Sequence, residues 1–272
     1  MWEQILLGTI QGVVEWLPVS SEGILFLVKS NIWGENELKS LLETALLLHL
    51  GTFLAALVYF RKRVWALVRA LIHYRTATED NRRILVFLLI ATLISGTLGY
   101  GMVVLMEGFS GGMDITSDVI TLGIGILLLI TAILQYRAQK GNREEVLYKN
   151  SLKEYSGIKK RDGILLGVVQ SFAALPGLSR SGLTVSALLL RKFDDNIALE
   201  LSFLLSLPIV LGGNIVLNWD KLSVSPLAWA GLAFSFVFGL LTIDLLLRLA
   251  RKVNFAHFVL FFGVLTIIAG VI

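Results

Sequence analysis

Six stretches of this chain are apolar and long enough to approach a bilayer crossing, and charged or polar segments separate them. They run from Leu41 to Phe60, Ile84 to Met106, Val119 to Tyr136, Asn196 to Leu217, Leu227 to Leu247 and Phe255 to Ile272. Each is close to the roughly 20 residues that a helix needs to cross the hydrocarbon core. Lipid offers no partner to an unpaired backbone group, so such runs fold as helices. The chain is 56% hydrophobic and only 16% charged, with a mean hydropathy of +0.77. A soluble domain carries charge on about a quarter of its residues. The expected fold class is therefore an all-α polytopic membrane protein.

Two further apolar runs cannot be straight spans. The run from Ile164 to Leu190 holds Leu175-Pro176-Gly177-Leu178-Ser179-Arg180-Ser181-Gly182 at its centre. Proline and glycine break the helix there, and a guanidinium within lipid is costly unless paired. Near the N-terminus, helical segments from about Trp2 to Leu17 and Ser21 to Lys29 flank Glu15-Trp16-Leu17-Pro18-Val19-Ser20-Ser21-Glu22-Gly23. Both runs read as re-entrant helical hairpins with a polar tip, since broken backbone is tolerated only where protein or a watery cavity satisfies it.

The net charge of +4 is concentrated in loops, so it speaks to orientation and not to nucleic acid. Residues 61–83, 137–162 and 248–252 carry most of the lysine and arginine, while 107–118 carry none. The positive-inside rule places the basic loops in the cytoplasm. The expected topology is then six transmembrane helices plus two re-entrant hairpins in a plasma membrane, with both termini outside. The N-terminal run has neither the basic start nor the small-residue cleavage site of a secretory signal. No cysteine is present, which excludes disulfides and zinc–cysteine sites.

The halves repeat weakly. Leu6-Leu7-Gly8 matches Leu165-Leu166-Gly167, Gln11 matches Gln170, Leu17-Pro18 matches Leu175-Pro176, and Ser20 and Gly23 match Ser179 and Gly182. Glu43 and Leu50 correspond to Glu200 and Leu207. Residues 1–136 and 163–272 are thus expected to form two units of one hairpin and three spans, joined by a basic loop at 137–162. An odd number of crossings inverts one unit relative to the other. Inverted repeats with broken helices place their binding site near the midplane, where the hairpin tips meet.

The two tips bring together the donors of a phosphate site. Arg180 can grip phosphate oxygens bidentately, and Ser20, Ser21, Ser179, Ser181 and the Gly182 N–H add donors. Glu15 would act as a base or hold a divalent cation, with Gln11 on the same helix face. Ser21 is the candidate nucleophile and Ser20 the second choice, although either could simply cap a half-helix. Glu15 could instead pair structurally with Arg180. Glu22 and His49 are further candidates for substrate contact, and Glu200 for a tentative second metal ligand.

On these residues the chain resembles the bacitracin-resistance type of undecaprenyl-diphosphate phosphatase, over nearly its whole length. Gln11-Gly12-Val13-Val14-Glu15 is similar to that family's acidic motif, and Leu17-Pro18-Val19-Ser20-Ser21 to the segment after it. Pro176-Gly177-Leu178-Ser179-Arg180-Ser181-Gly182 resembles its arginine motif, and Glu200-Leu201-Ser202-Phe203-Leu204-Leu205 continues the match. The resemblance implies removal of the terminal phosphate from a polyprenyl diphosphate lipid. It implies a divalent cation, Mg2+ or Ca2+, with Glu15 as base or metal ligand, Ser21 as nucleophile or phosphate contact, and Arg180 as the diphosphate clamp. A homodimer is also allowed for. In one place the chain departs from the family pattern: Gly23-Ile24 stands where Gly-His is usual, preceded by Glu22. Either Glu22 or His49 then substitutes, or the reaction needs no such group, or the site binds without catalysing. The alternative function is accordingly a polyprenyl-phosphate transporter or flippase, or a catalytically impaired homologue.

Overall fold

The computed structural model describes residues 1–34, 38–110, 117–147, 152–175, 177–217, 226–252 and 256–271. Pro176, most of the expected outer loops and residues 148–151 lie outside these. The described chain is helical: α1 (Trp2–Val14), α2 (Ser21–Trp33), α3 (Leu38–Tyr59), α4 (Arg61–Ile72), α5 (Glu79–Ser110), α6 (Ser117–Leu147), α7 (Lys160–Ser171), α8 (Arg180–Leu190), α9 (Asp195–Leu217), α10 (Pro226–Lys252) and α11 (Ala256–Val271). Among the described residues, α5, α6, α9 and α10 contain stretches long and apolar enough to cross a membrane. The α3–α4 pair makes a fifth candidate, bent by 84°, and Ala256–Ile268 within α11 is a shorter apolar helix.

Both hairpins are present as antiparallel arms that break in mid-course. In the first, α1 stops at Glu15 and α2 restarts at Ser21. In the second, α7 passes through a 3-10 turn at Phe172–Ala174 before α8 starts at Arg180. Gly177 makes that return possible. Its φ is +100°, and a Cβ there would sit 2.9 Å from the Ile124 backbone of α6. Each hairpin is tied at its base, by Lys29 to Glu3 at 4.0 Å in the first and by Arg191 to Asp162 at 2.8 Å in the second.

The first arm of each hairpin packs on a span from the other half of the chain. α1 lies on α10, where Gly8 meets Gly231 and Gly12 meets Ser235 and Gly239. α7 lies on α5, where Gly163 and Gly167 meet Phe87, Ile90, Ala91 and Ile94. Small residues let helix backbones approach where no hydrophobic effect drives helices together in lipid. α9 occupies the centre: half of its spanning window is buried, against 28% for α5 and α10. Around it Trp16 and Phe60 pack on Phe203, with centroids 5.5 and 6.4 Å away.

Two sequence expectations change. Residues 61–83 are not simply a loop, because α4 fills their first half. α6 runs on to Leu147, well past the expected end of the span at Tyr136. Trp16, at the first break, belongs to the buried core. It is 2% exposed, and its indole N–H donates to Gly239 O at 3.0 Å.

Candidate active site

The hairpin tips meet, and the backbone that the first break exposes is satisfied by side chains from elsewhere. Leu17 O accepts from Ser181 Oγ at 3.0 Å, Pro18 O from Gln135 Nε2, and Val19 O from Ser179 Oγ at 2.9 Å. Three successive carbonyls, each expensive to leave bare at this depth, are thus paired by α6 and by the second tip. The half-helices restart in the same way. Ser20 Oγ accepts from Gly23 N at 3.1 Å, and Ser179 Oγ accepts from Gly182 N at 3.0 Å. Ser20 is therefore a helix cap. Gly182 sits too tightly for a side chain, since a Cβ would meet Gln135, Ser179 and Thr131 within about 3.0 Å.

Ser21, one residue further on, does something different. Its hydroxyl donates to Glu15 Oε2 at 3.2 Å. The same oxygen accepts from Gln11 Nε2 at 2.9 Å and lies 3.2 Å from His49 Nε2. The other carboxylate oxygen, Oε1, receives Arg180 Nη2. Glu15 is 7% exposed and is placed at the end of α1, where its own N–H still reaches back to Gln11 O at 3.1 Å. Four side chains from four helices thus converge on one carboxylate.

Arg180 is held from several sides. Nη1 donates to Ser202 O at 3.4 Å, and the guanidinium carbon lies 5.8 Å from the centre of the Phe203 ring. Ser202 Oγ in turn pairs with Thr184 Oγ1 at 2.6 Å. His49 is fixed by its own helix, with Nδ1 2.6 Å from Ala45 O. A carbonyl only accepts, so Nδ1 carries a hydrogen and Nε2 is left to face the site.

A small cavity opens on this cluster. Its lining includes Glu15, Ser20, Ser21, Glu22, His49, Ser179, Arg180 and Ser181. Glu22 makes no hydrogen bond to a described residue, although its carboxylate is within electrostatic range of Glu15, His49 and Arg180. Ile24 is not part of the lining. It packs on the apolar cluster of Leu7, Val19, Leu25 and Phe26.

The expected site residues gather in one place with one exception. Glu200 stands apart: Oε1 accepts from Arg63 Nε at 2.7 Å and Oε2 from the Tyr155 hydroxyl at 2.8 Å. Glu200 lies within one turn of Ser202 and Phe203 on α9, but both its oxygens are turned to Arg63 and Tyr155, so among the described residues it forms no shared ligand group with Glu15. Gln135, Thr184 and the Ser202 carbonyl belong to the site's support and were not expected. Gln135 is a buried amide within a spanning helix, and intramembrane polarity alone could have flagged it.

The donor set can be tested against a divalent cation. Among the described residues, no group of three or more His, Asp or Glu side chains converges on a point. Both oxygens of Glu15 already accept from protein donors. That excludes a cage built from protein ligands alone. Glu22, with Glu15 beside it, suits an ion brought in on phosphate oxygens, because Mg2+ takes one or two carboxylates and completes its shell from substrate and water.

A family profile described as bacitracin resistance protein BacA matches residues 4–271. A relative from Methanococcoides burtonii, named undecaprenyl-diphosphatase, is 40% identical over 98% of this chain and 97% of its own length. A relative of the same name from Haloarcula marismortui is 37% identical, covering 98% and 96%. Another from Halothermothrix orenii is 33% identical, covering 100% and 99%. The chain belongs to the bacitracin resistance protein BacA family.

Proposed function

We propose that this protein is an integral-membrane undecaprenyl-diphosphate phosphatase, a hydrolase that releases inorganic phosphate and leaves the lipid monophosphate. The observation that carries the proposal is the Ser21 hydroxyl resting on the Glu15 carboxylate, 3.2 Å away, beside a guanidinium that can take phosphate. Nucleophile, base and anion clamp are in mutual reach, which is the arrangement covalent phosphoryl transfer needs. The relatives' shared name favours hydrolysis over the transport alternative.

The terminal phosphate would enter between Arg180 and the first turns of α2 and α8, whose N-termini favour anions. As the guanidinium turns to phosphate oxygens, Glu15 Oε1 loses its cation. Glu15 Oε2 can then take the Ser21 proton. Ser21 Oγ bonds to the terminal phosphorus, and the bridging P–O bond breaks to release the lipid monophosphate. In the second step a water attacks the phosphoserine. Its proton passes to a neighbouring acceptor, while Ser21 Oγ leaves and recovers the proton held by Glu15. His49, which lines the cavity with Nε2 3.2 Å from Glu15 Oε2, would be that acceptor. The net reaction consumes one water and yields one phosphate.

Glu22 and Glu15 would hold a divalent cation, Mg2+ or Ca2+, which when bound supplies neutralising charge to the diphosphate. The site would open to the outer leaflet of a plasma membrane, with both termini on that side. All the reacting groups come from one chain, so a homodimer is not required for the chemistry. The lipid tail would lie in the bilayer, outside the small cavity.

The test is phosphate release from a C55 polyprenyl diphosphate by detergent-purified protein, with and without divalent cation. Release that is lost in Arg180→Ala supports the proposal. Wild-type protein that binds the lipid but releases no phosphate under any cation would overturn it in favour of transport.

A further inference from the structure

The helix that replaces part of the expected basic loop has an outer face that the fold leaves uncovered. α4 turns 84° away from α3 at Phe60. A helix nearly perpendicular to a crossing helix runs along the membrane surface. Its inner side is packed: Leu67 and Ala70 are buried, and Val64 contacts the same core. Its outer side shows Trp65 at 57% exposure, Val68 at 38% and Ile72 at 69%. These recur at helical spacing and form one apolar stripe.

Cations flank that stripe. Arg61, Lys62 and Arg69 are exposed on the same side, Arg75 follows, and no acidic residue occurs from Arg61 to Thr78. Arg69 lies over the Trp65 ring, 5.2 Å from its centre. A tryptophan-bearing apolar stripe flanked by lysine and arginine is the composition of a helix that lies in the headgroup layer of an anionic leaflet. The long basic stems keep their charges at phosphate level while their methylenes cover lipid. A second copy of this face is the poorer occupant, since a two-fold contact would set the same cations against each other.

We propose that α4 is a surface-lying membrane anchor, with Trp65, Val68 and Ile72 in the headgroup layer of an anionic leaflet and Lys62, Arg69 and Arg75 on the lipid phosphates. The inner side of the same helix carries Arg63, which grips Glu200 of α9 at 2.7 Å. Docking α4 on lipid therefore also fixes one end of the helix that carries Ser202 and Phe203 beneath Arg180.

The chain has no cysteine, so a single introduced thiol can be labelled cleanly. Val68→Cys, and separately Leu71→Cys as a second exposed position, would carry an environment-sensitive NBD probe. Thr76→Cys serves as the solvent reference. Each full-length variant is reconstituted into vesicles of phosphatidylcholine alone or mixed with phosphatidylglycerol. The expected result is blue-shifted emission at residue 68 and quenching by shallow nitroxide lipids. The shift should be larger with phosphatidylglycerol, and that increment should be lost in Lys62→Gln/Arg69→Gln/Arg75→Gln. Aqueous emission at both 68 and 71 in both vesicles would overturn the proposal. So would a shift indifferent to lipid charge, or self-quenching that rises with protein density and marks contact between copies. Phosphate release is not read here, so the outcome is independent of the proposed enzymatic activity.

Discussion

Arg180 Nη2 donates to Glu15 Oε1 across 165 residues of sequence, at the point where the two hairpin tips meet. The proposed phosphate clamp and the proposed base are thus each other's partner. A buried pair of this kind gives little net stability, but removing one member strands the other. Arg180→Ala should therefore destabilise the protein by about 3 kcal/mol. It should also lower kcat/KM by roughly a thousandfold, because a charge-assisted bidentate phosphate contact disappears. Thermal unfolding in detergent and phosphate release check the two effects. Arg180→Lys should restore part of the stability and little of the activity, since an ammonium lacks the planar fork.

The adjacent serines are expected to separate. Ser20 caps α2 and Ser21 rests on Glu15. Ser20→Ala should cost about 1 kcal/mol of stability, as loss of a helix cap does, with turnover retained. Ser21→Ala should leave the melting temperature nearly unchanged and abolish turnover. The opposite pattern would assign Ser20 to the chemistry.

His49 and Ile24 are expected to differ in the same direction. His49 lines the cavity with Nε2 toward Glu15, whereas Ile24 packs on Leu7 and Leu25. His49→Ala should lower kcat by about a hundredfold, the usual worth of a positioned proton carrier. Adding Ile24→His to that variant should lower stability without recovering the rate. Recovery would mean that position 24 does reach the substrate.

Glu22 is the cavity carboxylate with no hydrogen-bond partner among the described residues. Glu22→Gln should raise the Mg2+ concentration needed for half-maximal phosphate release by about tenfold, a loss of roughly 1.4 kcal/mol. Chelation should silence both proteins. An unchanged cation requirement would remove Glu22 from the metal's surroundings.

The end of the molecule that carries Tyr155 and Glu200 should respond to strong alkali. Burial pushes the Tyr155 hydroxyl up to about 12, and the hydrogen bond it donates to the Glu200 carboxylate adds to this. The fold therefore favours the neutral phenol over its ordinary value of about 10. Its contribution is fully present below pH 10 and is lost as the pH rises through about 12. Proteolysis of the 152–158 segment should accelerate across that window, and Tyr155→Phe should remove the pH dependence.

Much of this arrangement was legible in the chain. The hairpins announce themselves because Pro18, Gly177 and their polar neighbours interrupt runs that otherwise read as spans. The meeting of the two tips followed from the inverted repeat, and the pairing of Glu15 with Arg180 was the structural alternative to a base or metal ligand. What could not be read was anything set by helix rotation. Whether His49 faces the site or a neighbouring helix depends on how α3 turns against α1, and the sequence is apolar on every side there. Glu200 was misplaced for the same reason, since its distance from Arg180 in sequence is short but its side points to Arg63 and Tyr155. α4 was hidden because its arginines and lysine read as loop, while its apolar residues alternate between two faces that are both used.

The most direct test of the central claim is phosphate release from a C55 polyprenyl diphosphate with a labelled terminal phosphate. Wild type, Ser21→Ala and Arg180→Ala would be run side by side in Mg2+. The site built on Ser21, Glu15 and Arg180 predicts labelled phosphate from wild type and background from both variants, with label on Ser21 after acid quench. Full release by Ser21→Ala would contradict the nucleophile, and no release by a lipid-binding wild type would contradict the phosphatase.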